Sequence, residues 1–147
     1  MIDDTYRERT GRFAAMLVKQ AAWPAAIVLA CQGFAPLVAA ARGALHTPLA
    51  ALALLVAAAS ALAVLALSAL LVFDGLLFRL MASHDDEMSG GGAVDDILAR
   101  MRLKPAPSAP RPLDDRIAGT SRLLARQRIA FAIFVVAFLT AGFWMPR

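Results

Sequence analysis

The sequence predicts an all-α membrane protein with three transmembrane helices, and three observations carry that prediction. Residues 49–73, LAALALLVAAASALAVLALSALLVF, are 25 consecutive positions without a charge, and Ser60 and Ser68 are their only polar side chains. As a helix this stretch is roughly 37 Å long, against about 30 Å of bilayer hydrocarbon, and a helix apolar on all sides belongs in lipid rather than on a soluble core. Two more stretches, 21–41 and 129–145, are also free of charge. The third observation is the distribution of the 15 Lys and Arg residues, which crowd into two of the four segments outside these stretches. With 60% hydrophobic residues in 147, the polar segments are too short to bury a core of their own, so the bilayer is the main solvent.

Residues 1–20 begin polar and turn apolar at Phe13. Their nearly neutral start and long apolar continuation favour an uncleaved anchor over a cleavable signal, although Ala39-Ala40-Ala41 resembles a small-residue cleavage site. In the first span, 21–41, Trp23 suits an interface and Pro24 suits the first turn of a helix, while the deeper Pro36 should bend it. The connection RGALHTP offers Thr47 as an N-cap with Pro48 at the first helical position, giving an antiparallel hairpin with the span 49–73. Asp74 then falls at the headgroups, and helix continues past it with Arg79 snorkelling.

Residues 83–112 read as a connecting loop of modular composition. SHDDEMSGGG is flexible by composition. Residues 93–103 form a short amphipathic helix, with Val94, Ile97, Leu98 and Met101 on one face at i, i+3, i+4 and i+7. Asp95 and Asp96 favour its start, and Arg100, Arg102 and Lys104 its end, before Pro105 stops it. KPAPSAPRP is a stiff spacer. A juxtamembrane helix opened by Asp114-Asp115 runs into the third span, whose far interface Trp144 marks. The domain division is therefore 1–82, 83–112 and 113–147.

The charges set the expected orientation. Four Lys or Arg precede the first span and nine lie in 79–128, thirteen against two (Arg42 and Arg147) on the opposite side. The positive-inside rule places the N-terminus and the long loop in the cytoplasm and the C-terminus outside. The same bias accounts for a pI near 10.2 without nucleic acid as a partner.

Several residues qualify as functional candidates, each against a plainer role. Ala50, Ala53, Ala57, Ser60, Ala61 and Ser68 share about one third of the second span's circumference, a seam along which helices approach closely, although alanine lies on every face here. Gln32 is the most polar mid-membrane side chain and lies at the depth of Ser60, which predicts a hydrogen bond between them, either as structural glue or as part of a polar pathway. Asp74 is an interfacial charge or, less economically, a proton relay. Arg122, Arg126 and Arg128 suit anionic lipid headgroups or serve topology alone. His84-Asp85-Asp86-Glu87 has metal-binding residue types but no second histidine nearby.

Neither His46 nor His84 lies in a span, so no haem ligation is expected, nor any other cofactor or metal. No phosphate loop, nucleophile elbow or HExxH occurs. The expectation is a non-catalytic accessory or assembly subunit of a larger complex in a bacterial inner membrane. Its partners would be other membrane subunits and anionic lipids, with Asp74, the 93–103 helix and Arg122–Arg128 as surface contacts. The alternatives are a self-assembling pore or transporter subunit, and an enzyme of lipid or isoprenoid substrates. The last would require cytoplasmic carboxylates to converge.

Overall fold

The computed structural model describes residues 2–42, 48–103 and 111–143. Four helices follow in order, α1 (Ile2–Arg42), α2 (Pro48–Ala82), α3 (Glu87–Arg100) and α4 (Leu113–Phe143), with no strand among the described residues. Three contain windows long and apolar enough to cross a membrane, Tyr6–Ala35, Pro48–Ala82 and Leu113–Gly142. Thr47, Lys104, Pro105 and Trp144, with the roles expected of them, lie outside the described residues.

The helices are longer than the apolar stretches that nucleate them. α1 starts at Ile2, so Pro24 sits deep inside a 41-residue helix rather than in its first turn. Once a helix is nucleated, each added residue gains a hydrogen bond at little cost, so polar flanks of good helix formers extend it. α4 likewise joins the juxtamembrane segment and the third span in one helix with Asp114 and Asp115 in its first turn.

The largest difference from expectation is α3. It begins at Glu87, not Ala93, and takes Gly90, Gly91 and Gly92 into its interior. Asp95 and Asp96 are therefore mid-helix residues, and the cap is Asp86, whose carboxylate accepts the Ser89 N–H at 2.8 Å. That bond holds the Asp86 carboxyl below the usual aspartate range. α3 ends well before Pro105, in a Schellman turn. Leu103 N–H donates to Leu98 O (3.0 Å) and Arg102 N–H to Ala99 O (3.0 Å), with Arg102 at φ 56, a conformation that favours glycine.

Three glycines in a row normally oppose a helix by about 1 kcal/mol each. Tertiary contact overrides that preference. A Cβ on Gly90 would stand 2.9 Å from Met81 O and 2.8 Å from the Tyr6 hydroxyl, so only glycine lets α3 lie this close to α2 and α1.

The chain divides into two compact units. Unit 1 comprises residues 1–20 and 70–123 and includes α3. It buries Thr10, Ala14 and Leu17 of α1, Leu71, Phe78 and Met81 of α2, Val94 of α3, and Leu113 and Thr120 of α4. Phe13 meets Phe78 edge-on, with ring centroids 4.9 Å apart. Unit 2 comprises residues 21–69 and 124–147. Its core is Val28 of α1, Ala57, Ala61 and Val64 of α2, and Phe134 and Ala137 of α4.

On α1 the buried positions are residues 10, 14, 17, 21, 24 and 28, in alternating steps of four and three. On α4, Leu113, Thr120, Gln127, Phe134 and Ala141 are all buried at intervals of seven. A period of 3.5 keeps one seam facing its neighbours, as in left-handed helix packing.

Candidate functional site

The described residues of unit 1 enclose a cleft of about 560 Å3. It is built where α2 leaves its apolar run, and its walls follow from helical periodicity. Asp74, Leu77, Phe78 and Met81 are one face of α2; Val94, Asp95 and Leu98 are one face of α3; Asp115, Arg116, Gly119, Thr120 and Leu123 are one face of α4, joined by Arg111 just before it. The result is an apolar floor under a rim that carries three carboxylates and two guanidinium groups.

One rim pair is closed. Arg116 Nη2 donates to both oxygens of Asp95 at 2.7 Å, and both side chains are nearly buried, at 12% and 13% exposure. Removing one partner of such a pair leaves an uncompensated charge, so the two act as a clasp between α3 and α4. Glu87 adds a second clasp, accepting the Leu113 N–H at 2.6 Å and so satisfying a backbone donor that opens α4. Thr120 Oγ1 donates to Asp74 Oδ2 at 2.9 Å, joining α4 to α2. Two more pairs, Arg7–Asp85 at 3.0 Å and Arg9–Asp114 at 2.6 Å, tie α1 to the same unit but lie exposed.

The polar centre of unit 2 is Gln127, 1% exposed. Its Nε2 donates to Ser68 Oγ at 2.7 Å and to Ala21 O at 3.4 Å, so one amide links α4, α2 and α1. Its Oε1 is buried and has no hydrogen-bond partner among the described residues. Ser68 in turn donates to Val64 O at 2.7 Å.

The structure distributes the candidates read from the sequence between the two units. Ala50, Ala53, Ala57, Ser60, Ala61 and Ser68 are all buried, and Ala57 and Ala61 pack with residues of α1 and α4. The Gln32–Ser60 bond is not formed. Ser60 Oγ donates instead to Val56 O (2.7 Å) and Ala57 O (3.1 Å) of its own helix, a common recourse for serine in an apolar helix. Gln127, absent from that set, makes the inter-helix bond. Its place in the seven-residue row was a signal, masked by its flanking Arg126 and Arg128.

Asp74 is half-buried in the cleft wall. Val94 is buried and Ile97 and Leu98 are half-buried within unit 1, while Met101 is exposed. Arg122, Arg126 and Arg128 are exposed on α4. The acidic run 84–87 is taken up structurally, with the His84 ring on Leu80 O, Asp85 on Arg7, Asp86 capping α3 and Glu87 on Leu113. Asp74, Asp95 and Asp115 do converge on one cleft, yet no three His, Cys, Asp or Glu side chains among the described residues are grouped to hold a metal ion.

These features define an all-helical chain with three helices long and apolar enough for a multi-pass membrane protein. No family model matches it, and neither a curated protein nor a solved structure matches it.

Proposed function

We propose that the protein is a non-catalytic subunit or assembly factor of a larger membrane complex, with its spans packed against partner helices. The observation that carries this reading is an exposed row of small residues on α1, Ala22, Ala26, Ala30 and Gly33. A Cβ placed on Gly33 meets nothing within 4 Å. Rows of small residues at this spacing let helix backbones approach in lipid, where packing rather than hydrophobicity drives association. The comparable row on α2 is already used inside the chain, which leaves the α1 row for another protein. Most of each span faces outward, since only 22–28% of each apolar window is buried. Exposed Met101 and Leu103, at the end of α3, give the cytoplasmic part an additional apolar contact.

In this reading the N-terminus and the connector that contains α3 lie in the cytoplasm of a bacterium and the C-terminus lies outside, as the thirteen-to-two charge bias directs. The test is a pull-down from native membranes with wild type and Gly33→Leu. The substitution has room within its own chain, so the bundle stays folded while partner chains are lost. Recovery of a discrete homo-oligomer with no other chain would replace the reading by a self-assembling pore or transporter subunit.

A further inference from the structure

The cleft of unit 1 has a rim that is only partly satisfied. Five charged side chains line it, and three are engaged, Asp95 with Arg116 and Asp74 with Thr120. The other two are Arg111 and Asp115. Both are exposed, and neither side chain has an ion-pair or hydrogen-bond partner among the described residues.

The closed part of the rim positions the open part. Arg116, held on both Asp95 oxygens at 2.7 Å, donates through Nε to Arg111 O at 3.3 Å and so anchors the backbone just before α4. Asp115 stands beside Arg116 in the first turn of α4. The apolar floor of the same cleft includes Phe78 of α2, Leu98 of α3 and Leu123 of α4. Its volume of about 560 Å3 falls within the roughly 300–1,000 Å3 of small-molecule sites, which combine apolar walls with a few placed polar groups. Every lining residue belongs to unit 1, so the site is complete within that unit.

We infer that this cleft binds a free α-amino acid with a large apolar side chain, its carboxylate on Arg111, its ammonium on Asp115 and its side chain on the apolar floor. Charge complementarity selects this occupant. An α-amino acid carries one charge of each sign and an apolar body on a single carbon, matching the one cation, one anion and apolar floor that the cleft leaves open. A guanidinium takes a carboxylate with two parallel N–H bonds, and an ammonium has N–H groups to give to a carboxylate; such charge-assisted bonds are the strong ones. A fatty acid or other simple anion answers Arg111 alone and sets its charge beside Asp115 and Asp74. An amine of the same size answers Asp115 and leaves Arg111 open. A zwitterion as small as glycine leaves the floor uncovered. The inference depends neither on the subunit reading nor on which helices cross a membrane.

The test titrates the full chain, purified alone in mild detergent, with L-phenylalanine and with L-leucine by calorimetry against a detergent blank. Saturable binding of at least one is expected. Two analogues of phenylalanine each lack one charge, phenethylamine the carboxylate and hydrocinnamate the ammonium. Each should bind about tenfold more weakly, the equivalent of one lost charge-assisted hydrogen bond. Glycine should not bind measurably. Arg111→Gln should erase the advantage of phenylalanine over phenethylamine, and Asp115→Asn its advantage over hydrocinnamate; both substitutions change exposed side chains. Gly119→Phe places bulk in the cleft where a Cβ meets nothing within 4 Å, and it should abolish binding, whereas Gly92→Phe, with equal room and outside the cleft wall, should not. The inference is overturned if neither amino acid binds saturably, or if either analogue binds as tightly as phenylalanine. An unchanged preference in Arg111→Gln or Asp115→Asn, or wild-type binding by a folded Gly119→Phe, would overturn it as well.

Discussion

Unit 1 and unit 2 are made from the same three long helices, but they are held by different forces. Unit 1 adds a short fourth helix and fastens it with charged and backbone groups, the Arg116–Asp95 pair, the Glu87–Leu113 bond and the Asp74–Thr120 bond. Unit 2 is built round an apolar seam of Ala57, Ala61, Val64 and Phe134, which the Gln127 amide bridges from α4 to α2 and α1. In water an apolar seam gains from the hydrophobic effect, while in lipid it gains only from close packing. Small residues supply that closeness, and Trp23 of α1 meets Phe131 of α4 edge-on with ring centroids 5.0 Å apart.

The contrast can be broken by removing each unit's chief element. Arg116→Ala should have the largest effect, about 3–5 kcal/mol, because Asp95 is left nearly buried and unpaired. Hydrogen exchange should show α3 amides losing protection while those of unit 2 keep theirs, and Arg116→Met with Asp95→Leu should recover most of the loss. Phe134→Ala should do the converse, opening the seam of unit 2 toward the low end of roughly 3–5 kcal/mol, since the helices stay formed in lipid. Thermal denaturation in mild detergent reads that change.

Smaller changes sharpen the comparison. Ser68→Ala removes the acceptor of the Gln127 amide and should cost about 0.6–1.7 kcal/mol, the range for inter-helix bonds in membranes. A larger loss would mean that Gln127 is a clasp of the unit 1 kind. Arg102→Gly should stabilise α3 by less than about 1 kcal/mol, because relief of the left-handed backbone is partly offset by a freer unfolded chain. The smallest effect concerns pH. The Asp86 carboxyl titrates below its ordinary value when folded, so its contribution is complete above the ordinary aspartate range. It fades as pH falls through the lowered value. The onset of α3 exchange should move in that direction in wild type and be flat in Asp86→Ala.

How much of this was legible depends on how local each feature is. The apolar runs show themselves because length and lack of charge need no neighbour to interpret. The alanine-rich face of α2 was also visible, as spacing on one helix. The Gln127–Ser68 bond was not, because the polar partner of a serine is chosen by which faces meet. Depth alone favoured Gln32, and the seam chose otherwise. α3 begins six residues before Ala93 for a similar reason. Gly90-Gly91-Gly92 has low helix propensity taken alone, and only the approach of Met81 and Tyr6 gives glycine an advantage there.

From its sequence alone, then, the chain determined its all-helical character, its three membrane-length apolar helices and the crowding of its Lys and Arg residues into two segments, since these depend on composition along a single segment. Tertiary structure decided which side of each helix is buried, how the acidic residues are shared out among caps, clasps and a cleft rim, and that a run of glycines is helix. Those outcomes depend on distances of a few ångströms between residues far apart in the chain, where burial alters the worth of a charge or a missing side chain.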